Sequence, residues 1–210
     1  MKWLIGIVAG LVVATGVQAQ AKVPAPALLV KRVTTEVLAI VRRDKEIQGG
    51  NAQRAMALVQ AKVLPHFDFS RMTALAVGRY WRQATPTQQQ ALADEFRTLL
   101  VRTYSTALTQ YRDQTIEYLP LRMAPGNTDV TVRTLIRQPG AGSINLDYDL
   151  EKVGPEWKVY DIDVDNVSLV TNYRDEFAEA ISAGGIDSLI ARLQAKNGAQ
   201  AVAPTAPGVR

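Results

Sequence analysis

The hydrophobic period of this chain changes twice, and the changes divide it into helix, sheet and helix. Up to Asp113 apolar residues recur at helical spacing, from Gln114 to Asp165 they alternate with polar ones, and from Ser168 the helical spacing returns. In the first region, Leu29, Val33, Val37 and Ile40/Val41 predict an amphipathic helix over Ala25 to Gln48, ended by Gly49-Gly50. Asn51 can cap a second helix to about Leu64, with Met56, Val59 and Val63 on one face, stopped by Pro65. Asp68 can cap a short one bearing Met72, Leu75 and Ala76, closed by Gly78. Thr85-Pro86-Thr87-Gln88 combines a capping hydroxyl, a first-turn proline and a capping-box glutamine, so a long helix to about Arg112 starts there. Its inner face is Leu92, Phe96, Leu99/Leu100, Thr103, Tyr104, Ala107/Leu108 and Tyr111.

Four strands follow. Gln114 to Leu121 is the first, and Asp129 to Arg137, with Val130, Val132, Thr134 and Ile136 on one face, is the second. Pro139-Gly140-Ala141-Gly142 turns the chain back into the third, where Ile144, Leu146, Tyr148 and Leu150 alternate with Asn145, Asp147, Asp149 and Glu151. Such a strand is buried on one face and wet on the other. In the fourth, Trp157 to Val164, the aromatic and aliphatic Tyr160, Ile162 and Val164 oppose a solvated face of Asp161, Asp163 and Asp165, while Trp157 and Val159 fall on the wrong parity. A bulge or a two-sided start accounts for them. Ser168 can cap a helix to Ser182 with Leu169, Val170, Tyr173, Phe177 and Ile181 inward; Gly184-Gly185 ends it, and Ile186, Leu189, Ile190 and Leu193 form a last short helix. The predicted fold class is α+β, a four-stranded antiparallel sheet with helices packed on one face.

The termini read differently. Met1-Lys2, the apolar run Trp3 to Val17 and the small residues up to Ala21 form an export signal over 1–21, cleaved after Ala19 or Ala21, because the run falls short of the ~20 apolar residues of a spanning helix. A membrane anchor is the weaker reading of the same segment. The rest suits one domain, 22–196, and the Gly-, Ala- and Pro-rich stretch 197–210 has nothing to bury and is expected to be a disordered tail. With no cysteine, disulfides, thiolate catalysis and cysteinyl metal sites are excluded. The net charge of +4 comes without a dense basic block, so no nucleic-acid partner is expected.

Little in the chain suggests catalysis. His66 is the single histidine, set between Pro65 and Phe67, and reads as structural. An esterase built on it would need a nucleophile elbow that the sequence lacks. Zinc would have to be held mostly by carboxylates, and Asp161 to Asn166 lacks the glycine turn of a calcium loop. No catalytic residue, metal or cofactor is therefore expected. What stands out is Phe67-Asp68-Phe69-Ser70-Arg71-Met72 and Gly78-Arg79-Tyr80-Trp81-Arg82, where aromatic rings stand beside arginines. They are either core filling or the wall and rim of a lipid site.

The order Val63-Leu64-Pro65-His66-Phe67-Asp68-Phe69, Leu75 to Arg82, Thr85-Pro86, Phe96-Arg97-Thr98-Leu99-Leu100, Trp157 to Asp161, Val167 to Arg174 with Phe177, and Gly185 to Ile190 resembles the MlaC family, also called toluene-tolerance proteins, from about Lys31 to Lys196. Asn166 departs from it, since relatives often carry glycine before Val167. The resemblance implies a periplasmic carrier that takes glycerophospholipid between an outer-membrane lipoprotein complex (MlaA-type) and an inner-membrane ABC transporter with a mammalian-cell-entry domain (MlaFEDB-type), maintaining outer-membrane lipid asymmetry. It further implies acyl tails in an apolar cavity between sheet and helices, no enzymatic activity, and phospholipid as cargo rather than cofactor; a monomer is expected. The candidate lipid-binding residues are those where apolar strand faces meet the long and closing helices: Phe96, Leu100, Tyr104, Val132, Ile144, Leu146, Tyr148, Leu169 and Tyr173, with Arg79 and Arg82 as a head-group rim. The competing reading is an exported interaction module with a closed core and no lipid.

Overall fold

The computed structural model describes residues 23–200, so the expected export signal and the chain beyond Gln200 lie outside it. Helix α1 spans Ala25–Val41, with Pro26 in its first turn. It stops earlier than the apolar spacing predicts, because the Asp44 carboxylate accepts from the amides of Glu46 and Ile47 at 3.1 and 3.2 Å and so starts a separate turn, α2 (Lys45–Gln48). Asn51 caps α3 (Ala52–Lys62), accepting from Arg54 N at 3.0 Å. Its buried residue is Ala55, with Leu58 and Val63 packed nearby, so the inner face is rotated by about one residue from the predicted one. Pro65 converts the next segment, Leu64–His66, into a single 3-10 turn.

Helix α4 (Phe69–Val77) grows from the edge of the sheet. Phe67 forms a parallel bridge with Val159, Asp68 N donates to Val159 O at 2.8 Å, and the Asp68 carboxylate caps the helix at Arg71 N. The full capping box forms at Thr85 and Gln88 and opens α5 (Pro86–Tyr104). Beyond Tyr104 the chain tightens into a 3-10 segment, Ser105–Gln110, in place of the predicted helical end.

The sheet is an antiparallel meander, β1 (Thr115–Tyr118), β2 (Asp129–Arg137), β3 (Ile144–Val153), β4 (Glu156–Val164) and β5 (Val167–Ser168), in that order across the sheet. Four strands are the predicted ones and the two-residue β5 is additional. It arises because Asp165 (φ 48°) and Asn166 (φ 68°) both take the left-handed conformation and close a two-residue hairpin. Asparagine tolerates that conformation better than most residues. The parity problem in β4 is solved by a bulge: Asp149 pairs with Asp161 and Leu150 with Val159, leaving Tyr160 extra.

Ser168 caps only a short turn, its hydroxyl accepting from Val170 N and Thr171 N, and α6 (Arg174–Gln200) begins later. This helix is broken at Gly184-Gly185, as the sequence suggested. Gly185 sits at φ 77° and ψ −179°, a region open to glycine alone, and a side chain on Gly184 would come within 2.8 Å of Ser188. The predicted tail needs correction at its start. Residues 197–200 continue the helix, and Asn197 is buried, donating to Glu95 O and Oε2 at 3.0 and 2.7 Å while Arg102 donates to its carbonyl oxygen.

Candidate functional site

Register fixes which side chains share the inner face of the sheet. Four rows run across it: Val130, Leu150 and Val159; Val132, Tyr148 and Ile162; Tyr118, Thr134, Leu146 and Val164; and Ile116, Ile136 and Ile144. The two ends of this series differ in burial, although Thr134 in the third row is itself completely buried. Leu150 is fully buried and Val159 is 4 % exposed, whereas all three isoleucines of the last row are only half-buried. The face therefore has a sealed end and an open, apolar end.

Helix α1 seals the first rows. Ala27, Leu29 and Val30 pack with Val130, Val132, Tyr148, Leu150 and Val159 into one cluster, edged by Leu121, Met123, Leu146 and Trp157. One turn along α1, the Thr34 hydroxyl meets the Tyr118 hydroxyl at 2.5 Å and also reaches Val30 O at 2.7 Å. Since a hydroxyl has one proton, Thr34 donates to the carbonyl and Tyr118 donates to Thr34. Lys31 Nζ stands 5.8 Å from the Tyr118 ring. Burial, with Tyr118 beside it, holds the Tyr148 phenol far above its ordinary value.

A second cluster is mainly helical, with Val170 of the turn after β5 in it and Tyr160 of β4 packed against it. Helices α4, α5 and α6 enclose Met72, Leu92, Phe96, Leu99, Leu100, Phe177 and Leu189. Phe96, completely buried, meets Tyr173 and Phe177 edge to face at 5.3 and 5.2 Å. A third, smaller cluster joins Val37 and Val41 of α1 to Ile47, Ala55, Leu108 and Tyr111.

The nine candidate residues are divided between these clusters. Val132, Leu146 and Tyr148 belong to the cluster under α1; Phe96, Leu100, Tyr104 and Tyr173 belong to the helical cluster, where rings fill the space between them; Ile144 and Leu169 are half-buried and in neither. Phe67 packs against both clusters and forms the seam. Arg79 and Arg82 are exposed on the 3-10 segment Gly78–Gln83 beside the helical cluster, and Arg79 donates to Tyr80 Oη at 2.9 Å. They do not rim the sheet face. Val30, Thr34 and Tyr118 were absent from the candidates, although the alternation around Tyr118 was a usable signal.

His66 lies half-buried near Arg32, Lys158, Glu156 and Glu36, and its pKa is lowered by burial first and by the two cations second. Among the described residues no serine hydrogen-bonds to it. No group of three or more potential ligands could hold a metal ion among the described residues.

The other face of the sheet is acidic, but not uniformly solvated. Asp161, read from parity as exposed, is 5 % exposed: it accepts from Ile162 N at 2.7 Å and from the Ser168 hydroxyl at 2.5 Å, tying β4 to the turn that leads into α6. Asp147 stands directly opposite Asp163. Burial, then Asp149 and Asp147, raise the Asp163 carboxyl above its ordinary range. A carboxyl raised in the folded state holds its proton more tightly there than in the unfolded chain. Its charge therefore subtracts stability above the folded value, and this loss disappears as the pH falls through that value. Asp163→Asn is expected to raise the Tm by about 1–2 °C at neutral pH, with the gain shrinking toward zero below about pH 4. Calorimetric scans showing an equal gain at both pH values would refute this origin.

Comparison with known proteins adds the following. The sequence profile of the family described as MlaC protein matches residues 31–195. The toluene tolerance protein ttg2D of Pseudomonas putida is 28% identical over 160 residues, covering 76% of this chain and 74% of its own. The intermembrane phospholipid transport system binding protein MlaC of Haemophilus influenzae is 22% identical over 172 residues, 80% of each chain. A phospholipid-binding protein from Ralstonia solanacearum, solved in complex with a phospholipid, superposes with a TM-score of 0.77 at 42% identity, covering 83% of this chain and 98% of its own.

Proposed function

The chain belongs to the MlaC protein family, and from that premise we propose that it is a periplasmic phospholipid carrier that takes up glycerophospholipid with its acyl chains against the inner face of the sheet. The observation that carries this reading is the pairing of a 42% identical relative solved with a phospholipid and an inner sheet face whose first row is buried and whose last, Ile116, Ile136 and Ile144, is apolar and only half-buried. The periplasmic setting agrees with the export signal of the sequence.

Physical chemistry favours an enclosed site. Two acyl chains of roughly 30 methylenes, at ~0.8 kcal/mol each, carry about 25 kcal/mol of transfer free energy, so a carrier crossing water must shield them almost completely. A lipid in a bilayer already enjoys similar surroundings. The carrier therefore gains little by extraction itself, and direction has to come from the partners. We infer those to be an outer-membrane lipoprotein complex on one side and an inner-membrane ABC transporter with a mammalian-cell-entry domain on the other. No bond is made or broken in such a transfer, so the reading assigns the chain no catalytic residue and no cofactor.

Protein exported with its own signal and purified gently is expected to carry about one phospholipid per monomer, because an apolar cavity beside a lipid reservoir does not stay empty. Native mass spectrometry and organic extraction measure this directly. Bare chain mass, under conditions that keep lipid on a control carrier, would favour the closed-core interaction module instead.

A further inference from the structure

Tyr148 is an unpaired donor in an apolar place. It stands second along the rows of the inner face, between the sealed row of Leu150 and the half-covered row of Leu146, and is 9 % exposed. Every other hydroxyl near it is occupied: Thr134 donates to Leu146 O at 2.6 Å, Thr34 to Val30 O, and Tyr118 to Thr34. Among the described residues the Tyr148 hydroxyl has no hydrogen-bond partner, although Tyr118 lies beside it. The side chain is almost enclosed, yet its oxygen is not one of the fully buried unpartnered atoms among the described residues, so the hydroxyl keeps a path to solvent that a ligand seated on this face would take over. The neighbouring inward positions are Val132, Leu146, Leu150 and Ile162, all aliphatic, and here the chain has a hydroxyl.

We propose that the Tyr148 hydroxyl donates to an ester carbonyl of the bound lipid, so that the site reads the acyl-ester linkage and not only the apolar tails. The inference rests on the phospholipid-carrier reading. Three features of the site fit an ester carbonyl. It is an uncharged acceptor, which suits a position one row from the sealed core, where a phosphate would need a buried counter-charge. It lies at the junction of tail and head, matching a hydroxyl at the boundary between covered and open rows. And the cation close by, Lys31, is exposed on α1 near Tyr118, on the side where a phosphate beyond the esters could meet it in water. Tyr118 serves differently. Its proton is committed to Thr34, so it positions α1 over the sheet and donates nothing to the lipid.

The test uses full-length mature protein stripped of lipid and reloaded from vesicles holding equal amounts of a diester and a diether phosphatidylglycerol of identical chains. Bound lipids are counted by native mass spectrometry. Wild-type protein is expected to take the diester over the diether by about fivefold, the worth of one net hydrogen bond. In Tyr148→Phe, total bound lipid stays near one per chain while the preference falls to one or below, since the carbonyl then enters an apolar site without a donor. Tyr80→Phe, on the 3-10 segment beside the helical cluster, keeps the preference. Equal uptake of both lipids by wild-type protein, or a preference that survives Tyr148→Phe, overturns the proposal while leaving the carrier reading intact. Failure of wild-type protein to load either lipid overturns both.

Discussion

Leu146→Glu is expected to give folded protein that carries little lipid, whereas Leu150→Glu, two residues on along the same strand face, is expected not to fold. The two positions differ in cover and not in chemistry. Leu150 is completely buried between Val130 and Val159, beneath α1, so a carboxylate there must either ionise in a dry core or force α1 away. Either route is worth several kcal/mol, a large fraction of the 5–15 kcal/mol that holds a domain together. Leu146 lies in the half-covered row beside Thr134 and Val164. With lipid absent, water can reach a carboxylate at that position, and the fold survives. With an acyl chain present the carboxylate must lose that water or keep the chain out, so occupancy should fall at least tenfold against Leu146→Met. Circular dichroism, melting temperature and extracted lipid, measured on all three variants, decide it. If Leu146→Glu unfolds as Leu150→Glu does, the row is ordinary core; if it folds with full lipid, the chains lie elsewhere.

That contrast was only half legible in the sequence. Alternation over Ile144 to Leu150 placed both leucines on the inner face, but a period of two assigns every second residue to a face without saying what covers it. Cover depends on α1, and the sequence paired the sheet with the long and closing helices instead. Signals carried by a few neighbouring residues were read well: the Thr85 and Gln88 capping box, the Asn51 and Asp68 caps, the break at Gly184-Gly185 and the alternating β2 and β3. Contacts between distant residues were not. Asp161 follows the solvated parity of Asp163, yet the Tyr160 bulge and the Ser168 hydroxyl bury it. Asn197 opens a stretch poor in large apolar residues, yet Glu95 and Arg102 of α5 hold it in the helix. Tyr160 shows the same effect on the seam. The bulge frees it from the ladder, and it takes the Arg71 guanidinium on its ring at 3.5 Å while donating to Asp129 at 2.7 Å. Arg71 in turn pairs with Asp129 and Glu151, so one arginine on α4 ties the helical layer to β2, β3 and β4.

Phe96→Ala should separate the two clusters by function. The sequence offered Phe96 as a wall of the lipid cavity, together with Leu100, Tyr104 and Tyr173, whereas its fully enclosed ring, packed edge to face on Tyr173 and Phe177, supports a role in the core. Truncation removes a buried ring and leaves a hole that three helices can only partly close. The expected loss is about 3–5 kcal/mol, or a Tm lower by roughly 6–20 °C, among the largest effects available to a single substitution in this fold. Because Phe96 is not in the sheet cluster, and the two clusters meet through Phe67, Tyr160 and Arg71 and not through its ring, the lipid carried per folded molecule should remain near that of the wild type when measured well below the new melting temperature. A stability loss with unchanged lipid marks Phe96 as core. The reverse result, near-normal stability with lipid lost, would mean that acyl chains run between α5 and α6 and that the inner sheet face is not their main wall. Phe96→Leu, which restores most of the volume without the ring, should recover much of the stability and leave the lipid unchanged, so a lipid loss shared by both substitutions would point to the same relocation.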